Sequence, residues 1–84
     1  FPYTTLFRSH LDVTISDLHD AISAEDFLQI AELAHLMKGG FYLLKNDSLA
    51  DLCTELEEAA DRKTISLCLQ LALRLEDAVS DLSS

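Results

Sequence analysis

Phe27-Leu28-Gln29-Ile30-Ala31-Glu32-Leu33-Ala34-His35-Leu36-Met37-Lys38-Gly39-Gly40-Phe41-Tyr42-Leu43-Leu44 is the stretch whose reading decides the fold. At 100° per residue, Ile30, Leu33, Met37, Phe41 and Leu44 gather on one face, which predicts an amphipathic helix. His35 points almost directly away from that face, toward solvent. Lys38 and Gly39 follow at i+3 and i+4. The cation is therefore within reach of whatever the imidazole carries, and the missing side chain leaves the ring uncovered. Two consecutive glycines inside a helix cost roughly 2 kcal/mol relative to alanines, so a role other than stability is expected for Gly39 and Gly40. Leu28, Ala31 and Tyr42 lie within about 40° of His35 on the same face. With Glu32, an i, i+3 neighbour of His35, they are expected to form an exposed docking patch around the ring.

Outward from this helix the chain reads as all-α, with tight polar breaks, no internal repeat and no low-complexity run. A first helix is predicted over about Asp12 to Ile22, with Val13, Ile15, Leu18 and Ile22 apolar. Ser23-Ala24-Glu25-Asp26 breaks it and suits the start of the next helix, since acidic residues favour a helix N-terminus. The second helix is expected to end near Lys45-Asn46, with Asn46 in the left-handed cap conformation and Asp47 or Ser48 capping a third. That third helix runs to about Ala60, and Leu49, Leu52, Cys53, Leu56 and Ala60 keep the i, i+3, i+4, i+7 spacing. After Asp61-Arg62-Lys63, Thr64 or Ser66 opens a last helix to about Leu82. There Leu67, Leu69, Leu71, Leu73 and Leu75 alternate as in a buried strand. A lone strand cannot form a sheet, however, and Ile65, Cys68, Ala72, Leu75, Val79 and Leu82 give a continuous helical stripe. Leu67, Leu71 and Ala78 then fall on a second face that needs covering.

The first nine residues, Phe1-Pro2-Tyr3-Thr4-Thr5-Leu6-Phe7-Arg8-Ser9, are identical to the in-frame translation of a common short-read sequencing adapter. They read as an assembly scar and are set aside from the fold. The native part is then expected to start at His10, as an antiparallel four-helix bundle truncated at its N-terminus and lacking a covering helix there. The remaining 75 residues (84 minus 9) suffice for a single small helical domain. Fifteen acidic residues against six basic ones give a net charge of −9, or −10 without Arg8, which argues against nucleic acid and against anionic membrane surfaces. The expected partner is protein. No apolar run approaches the roughly 20 residues of a membrane span. Cys53 and Cys68 have neither metal-pair nor redox-pair spacing and read as small buried thiols of a reducing compartment. His10 and His19 read as surface residues, and no spacing supports a metal site with His35.

Two segments together carry a resemblance to a family. Ala34-His35-Leu36-Met37-Lys38-Gly39-Gly40 is similar to a pattern of the type Ala-His-x-Leu-Lys-Gly-Ser. Leu49-Ala50-Asp51-Leu52-Cys53-Thr54-Glu55-Leu56-Glu57 is similar to a following helix of the type Leu-x-x-Leu-Cys-x-x-Leu-Glu. Both belong to the histidine-containing phosphotransfer (HPt) domain of two-component phosphorelays, and the resemblance spans nearly all of the chain after Ser9. His-x-x-Lys-Gly alone is a weak signal. Its outward placement, the interval to the turn around Asn46 and the second motif make it specific. Phe41 and Tyr42 stand where the family usually has small residues, and Lys45 stands where it usually has glycine.

The resemblance implies a phosphocarrier rather than an enzyme. His35 would be the phosphoacceptor, taking the group from a receiver-domain aspartyl phosphate and passing it to another receiver. A neutral imidazole offers one ring nitrogen lone pair for that attack. Lys38 would stabilise the phosphoryl oxygens as a point charge, Gly39 and Gly40 would give steric access, and Leu28, Ala31, Glu32 and Tyr42 would dock the partner. No cofactor of its own is implied, because Mg2+ is expected on the receiver. The implied partners are response-regulator receiver domains and a hybrid histidine kinase, in the cytoplasm, whether free or tethered through a membrane sensor kinase. Two alternatives are a phosphotransfer-inactive module that only binds receivers, and a plain helical interaction domain.

Overall fold

Three short polar breaks divide the described residues into four helices, and all three breaks end the preceding helix in the same way. A computed structural model describes residues 3–81, with side chains from His10 to Asp81. The helices are α1 (Tyr3–Ser23), α2 (Phe27–Leu43), α3 (Asp47–Asp61) and α4 (Ile65–Asp81), and there is no strand among the described residues. In the first break the amide of Glu25 donates to Ile22 O at 3.0 Å and that of Asp26 to Ala21 O at 2.9 Å. Lys45 and Asn46 repeat this pair onto Tyr42 and Phe41, and Lys63 and Thr64 repeat it onto Ala60 and Ala59. Each pair closes a helix C-terminus with one residue in the left-handed region, at φ 53° for Glu25 and 57° for both Lys45 and Lys63.

The next residue starts the following helix. The Asp26 side chain accepts from the Gln29 amide at 3.3 Å and that of Asn46 from the Leu49 amide at 3.2 Å, each satisfying an otherwise orphaned donor. Two expectations are corrected here. Lys45, not Asn46, takes the left-handed position, and Asn46 itself caps α3 in place of Asp47 or Ser48. Asn46 is better used as the cap because its side-chain oxygen reaches a free amide from there.

Connections of three residues make successive helices antiparallel. α1 packs on α2 and α4, α2 on α3, and α3 on α4, so the four close a ring in chain order. The Cα radius of gyration is 11.9 Å, against about 12 Å expected for a globule of this length. Phe41, Leu18, Ile30, Met37, Leu56, Leu75, Cys53 and Cys68 form the fully enclosed centre. Truncating a buried aromatic such as Phe41 to alanine costs roughly 3–5 kcal/mol. Both cysteines are free and buried. The α2 stripe is placed as expected, except that Leu44 is only half-buried.

Other placements differ from the sequence reading. α1 begins at Tyr3, so the helix runs back through residues set aside as a scar. Val13 is exposed, while Leu11, Ile15, Leu18, Ala21 and Ile22 line the core, because Val13 sits about 200° from Ile15 around the helix. Thr14 is also buried, its hydroxyl donating to His10 O at 2.8 Å. Leu71 does not belong to an uncovered face. It is 3% exposed, and Ala78 packs against the core beside it, which leaves Leu67, with Leu69 and Leu73, as the exposed leucines of α4. Leu82 lies outside the described residues.

Candidate phosphotransfer site

α2 turns its core stripe inward and carries His35 on the opposite face, where the side chain is 76% exposed. Nδ1 of the ring faces the bundle, 3.8 Å from Oε2 of Glu57 on α3. The other oxygen of the same carboxylate, Oε1, lies 2.8 Å from Nζ of Lys38. One acidic side chain thus reaches across the α2–α3 hairpin and faces two α2 residues a turn apart. The Glu57 carboxylate, ion-paired at 2.8 Å, raises the Lys38 pKa above its ordinary 10.5, against the opposing effect of desolvation, with the charge of Tyr42 adding to the rise. The ammonium is charged at any physiological pH.

Cys53 lies one turn before Glu57 on α3. Burial, then the Glu57 charge, pushes its thiol up to about 12, while Lys38 pulls the other way. It is an apolar backing to the site and a poor nucleophile.

Gly39 is exposed, and a Cβ built on it would meet nothing within 4 Å. Packing therefore does not require glycine there. Gly40 is different, being buried among the core residues of α2. Leu28 (74% exposed), Tyr42 and Glu32 are exposed on α2, but Ala31 is half-buried and packs against the core. Leu36 and Leu43 (70% exposed) add apolar surface that the sequence reading had not assigned to docking. They rim a groove of about 260 Å³ between α1 and α2, floored partly by Gly39 and Gly40.

Glu57 is the residue that sequence reasoning missed as part of the site. It closes the second motif, and only the rotation of α3 against α2 shows that it faces Lys38. His10 is exposed as expected. His19 is more than a surface residue, because its Nε2 hydrogen-bonds Oε2 of Glu76 and ties α1 to α4. No group of three or more His, Cys, Asp or Glu among the described residues could hold a metal ion. No helix of the described residues is long and apolar enough to cross a membrane.

An outward imidazole thus stands on a ring of four antiparallel helices, with a cation one turn along and open helix surface around it. A family model described as the Hpt domain matches residues 3–84, almost the whole chain. The chain belongs to the Hpt domain family, whose members act as phosphocarriers in histidine phosphotransfer relays with receiver domains. The matched region begins within the segment set aside at the N-terminus. Comparison with curated proteins and with solved structures gave no match.

Proposed function

We propose that this domain carries a phosphoryl group on Nε2 of His35, accepting it from the aspartyl phosphate of one receiver domain and delivering it to the aspartate of another. The observation that carries this reading is the orientation of the ring. Nδ1 is turned toward the Glu57 carboxylate at 3.8 Å, and most of the side chain stands in solvent. A carboxylate on that side favours the tautomer with its proton on Nδ1, leaving the Nε2 lone pair pointing outward for in-line attack. The step needs no proton transfer. As the Nε2–P bond forms, the acyl phosphate O–P bond breaks and its electron pair leaves with the aspartate. The ring, keeping its Nδ1 proton, becomes a cationic phosphoramidate.

Mg2+ and the charges that stabilise the leaving carboxylate come from the receiver, so this chain contributes position, nucleophile and a docking face. Leu28, Tyr42, Leu36 and Leu43 supply the apolar part of that face, and the partners are response-regulator receivers or those of a hybrid kinase. Gly39 lets the partner's loops approach the ring.

Incubation with phosphorylated receivers and Mg2+ tests the reading. The expected result is acid-labile, alkali-stable label on the wild-type chain and none on His35→Gln, whose helical circular dichroism and melting temperature stay within about 2 °C because the ring is outside the core. Stable binding of receivers without label would leave a docking module instead.

A further inference from the structure

Glu57 is placed to influence the phosphorylated state without touching the phosphoryl group. Lys38 is the cation one turn from His35, yet its ammonium is already engaged by Oε1 at 2.8 Å, while Oε2 of the same carboxylate stands 3.8 Å from Nδ1. Resting on the assignment of His35 as phosphoacceptor, we infer that Glu57 is a positioning residue that keeps Lys38 from fully neutralising the phosphohistidine, so that the domain holds its phosphoryl group loosely and gives it up readily.

Phosphorylation converts a neutral ring into a group bearing a cationic imidazole and a dianionic phosphoryl. Glu57 attracts the first, which is nearer, and repels the second, which is farther but doubly charged. These direct effects oppose each other. What remains is competition for Lys38. An ammonium is a compact point charge, and its ion pair with Glu57 at 2.8 Å offsets that charge where it stands. To serve the phosphoryl oxygens, Lys38 gives up part of its ion pair with Glu57, and that cost falls only on the phosphorylated state. The Lys38–Glu57 pair is half-buried, so water does not fully replace what is lost. The consequence is a phosphoryl group of higher transfer potential than the same histidine and lysine would give without the carboxylate.

The effect can be measured without knowing the cognate receiver. Wild type, Glu57→Gln, Lys38→Ala and the double variant are equilibrated with potassium phosphoramidate at a fixed excess of ammonium chloride. Ammonia leaves with the electron pair of its P–N bond as the Nε2–P bond forms, so the ratio of phosphorylated to free domain, read by 31P NMR, reports transfer potential directly.

Glu57→Gln should raise that ratio about two- to fivefold, and the gain should vanish in the Lys38→Ala background. The Lys38 Nζ resonance should shift on phosphorylation more in Glu57→Gln than in wild type. Should Glu57→Gln fail to fold, Glu57→Asp, which keeps the charge but draws it back from Lys38, should raise the ratio in the same direction by a smaller factor. An unchanged ratio in the folded variant, or a gain that persists without Lys38, overturns the inference. A wild-type signal that His35→Gln retains overturns the phosphoacceptor assignment instead, and the two failures are told apart by that control.

Discussion

His19 on α1 and Glu76 on α4 are hydrogen-bonded across 57 positions of chain, joining the first helix to the last. Both side chains are more than a third exposed, so the bond belongs to the class of surface pairs that contribute only tenths of a kcal/mol. Glu76→Ala should lower stability by about 0.5 kcal/mol, a shift of roughly 2–4 °C in melting temperature for a domain of this size. Label transfer to His35 should stay at the wild-type rate, because no site residue lies on α1 or α4. A loss of transfer in a fully folded Glu76→Ala would show that the outer pair of helices is coupled to the site.

At Gly39, stability and transfer should separate. With nothing within 4 Å of a Cβ there, Gly39→Ala should stabilise the helix by about 1 kcal/mol. Gly39→Leu should stabilise by a similar amount while blocking the approach of a receiver. Thermal melts and label-transfer rates on the same two proteins decide this. Transfer by Gly39→Leu at the wild-type rate would remove the steric role.

Lys45 carries backbone strain that glycine would relieve. At φ 57° its Cβ crowds the following carbonyl. Lys45→Gly should therefore raise stability by about 0.5–1 kcal/mol in spite of the greater unfolded-state entropy of glycine, and Lys45→Val should lower it. Urea midpoints with unchanged slopes are the measurement. A destabilised Lys45→Gly would mean that the lysine side chain makes a contribution larger than the strain.

Cys53 gives the pH dependence. Its thiol is pushed up from 9.0 to about 12, chiefly by burial. The folded chain therefore holds this proton more tightly than the unfolded chain. Its contribution to stability is fully present below pH 9 and is lost as pH rises from 9 toward 12. Between pH 8 and pH 10.5 the wild type should lose on the order of 1–2 kcal/mol more than Cys53→Ala, by urea titration at each pH. At pH 8 the native thiol should react with iodoacetamide only through unfolding. Alkylation faster than unfolding would mean that the thiol is open to solvent.

The helix count, the α2 stripe and the outward His35 were all legible, because each depends on periodicity within one helix. Val13 and Leu71 were misplaced for a common reason. Hydrophobicity marks which residues can be buried, but α1 and α4 carry more apolar positions than one stripe holds, and only packing selects among them. The left-handed Lys45 was hidden because lysine has no preference for that region. The break needed one residue there, and Asn46, the better candidate intrinsically, was already used as the α3 cap. Glu57 was hidden more deeply, since pairing between helices depends on their mutual rotation, which no single helical pattern contains.

His35, Lys38, Gly39 and Glu57 all fall in one helical hairpin closed by three residues, with Lys38 and Glu57 only 19 positions apart. Loop-closure entropy rises with the logarithm of separation, and chains rich in short-range contacts fold fast. The 57-position tie between α1 and α4 is the entropically expensive contact by comparison. The expected order of events on the way to the native state is therefore hairpin first and ring closure last, which φ-values at Leu56 and Leu18 would read as high and low respectively. In folding time, the candidate constellation around His35 is older than the bundle that displays it.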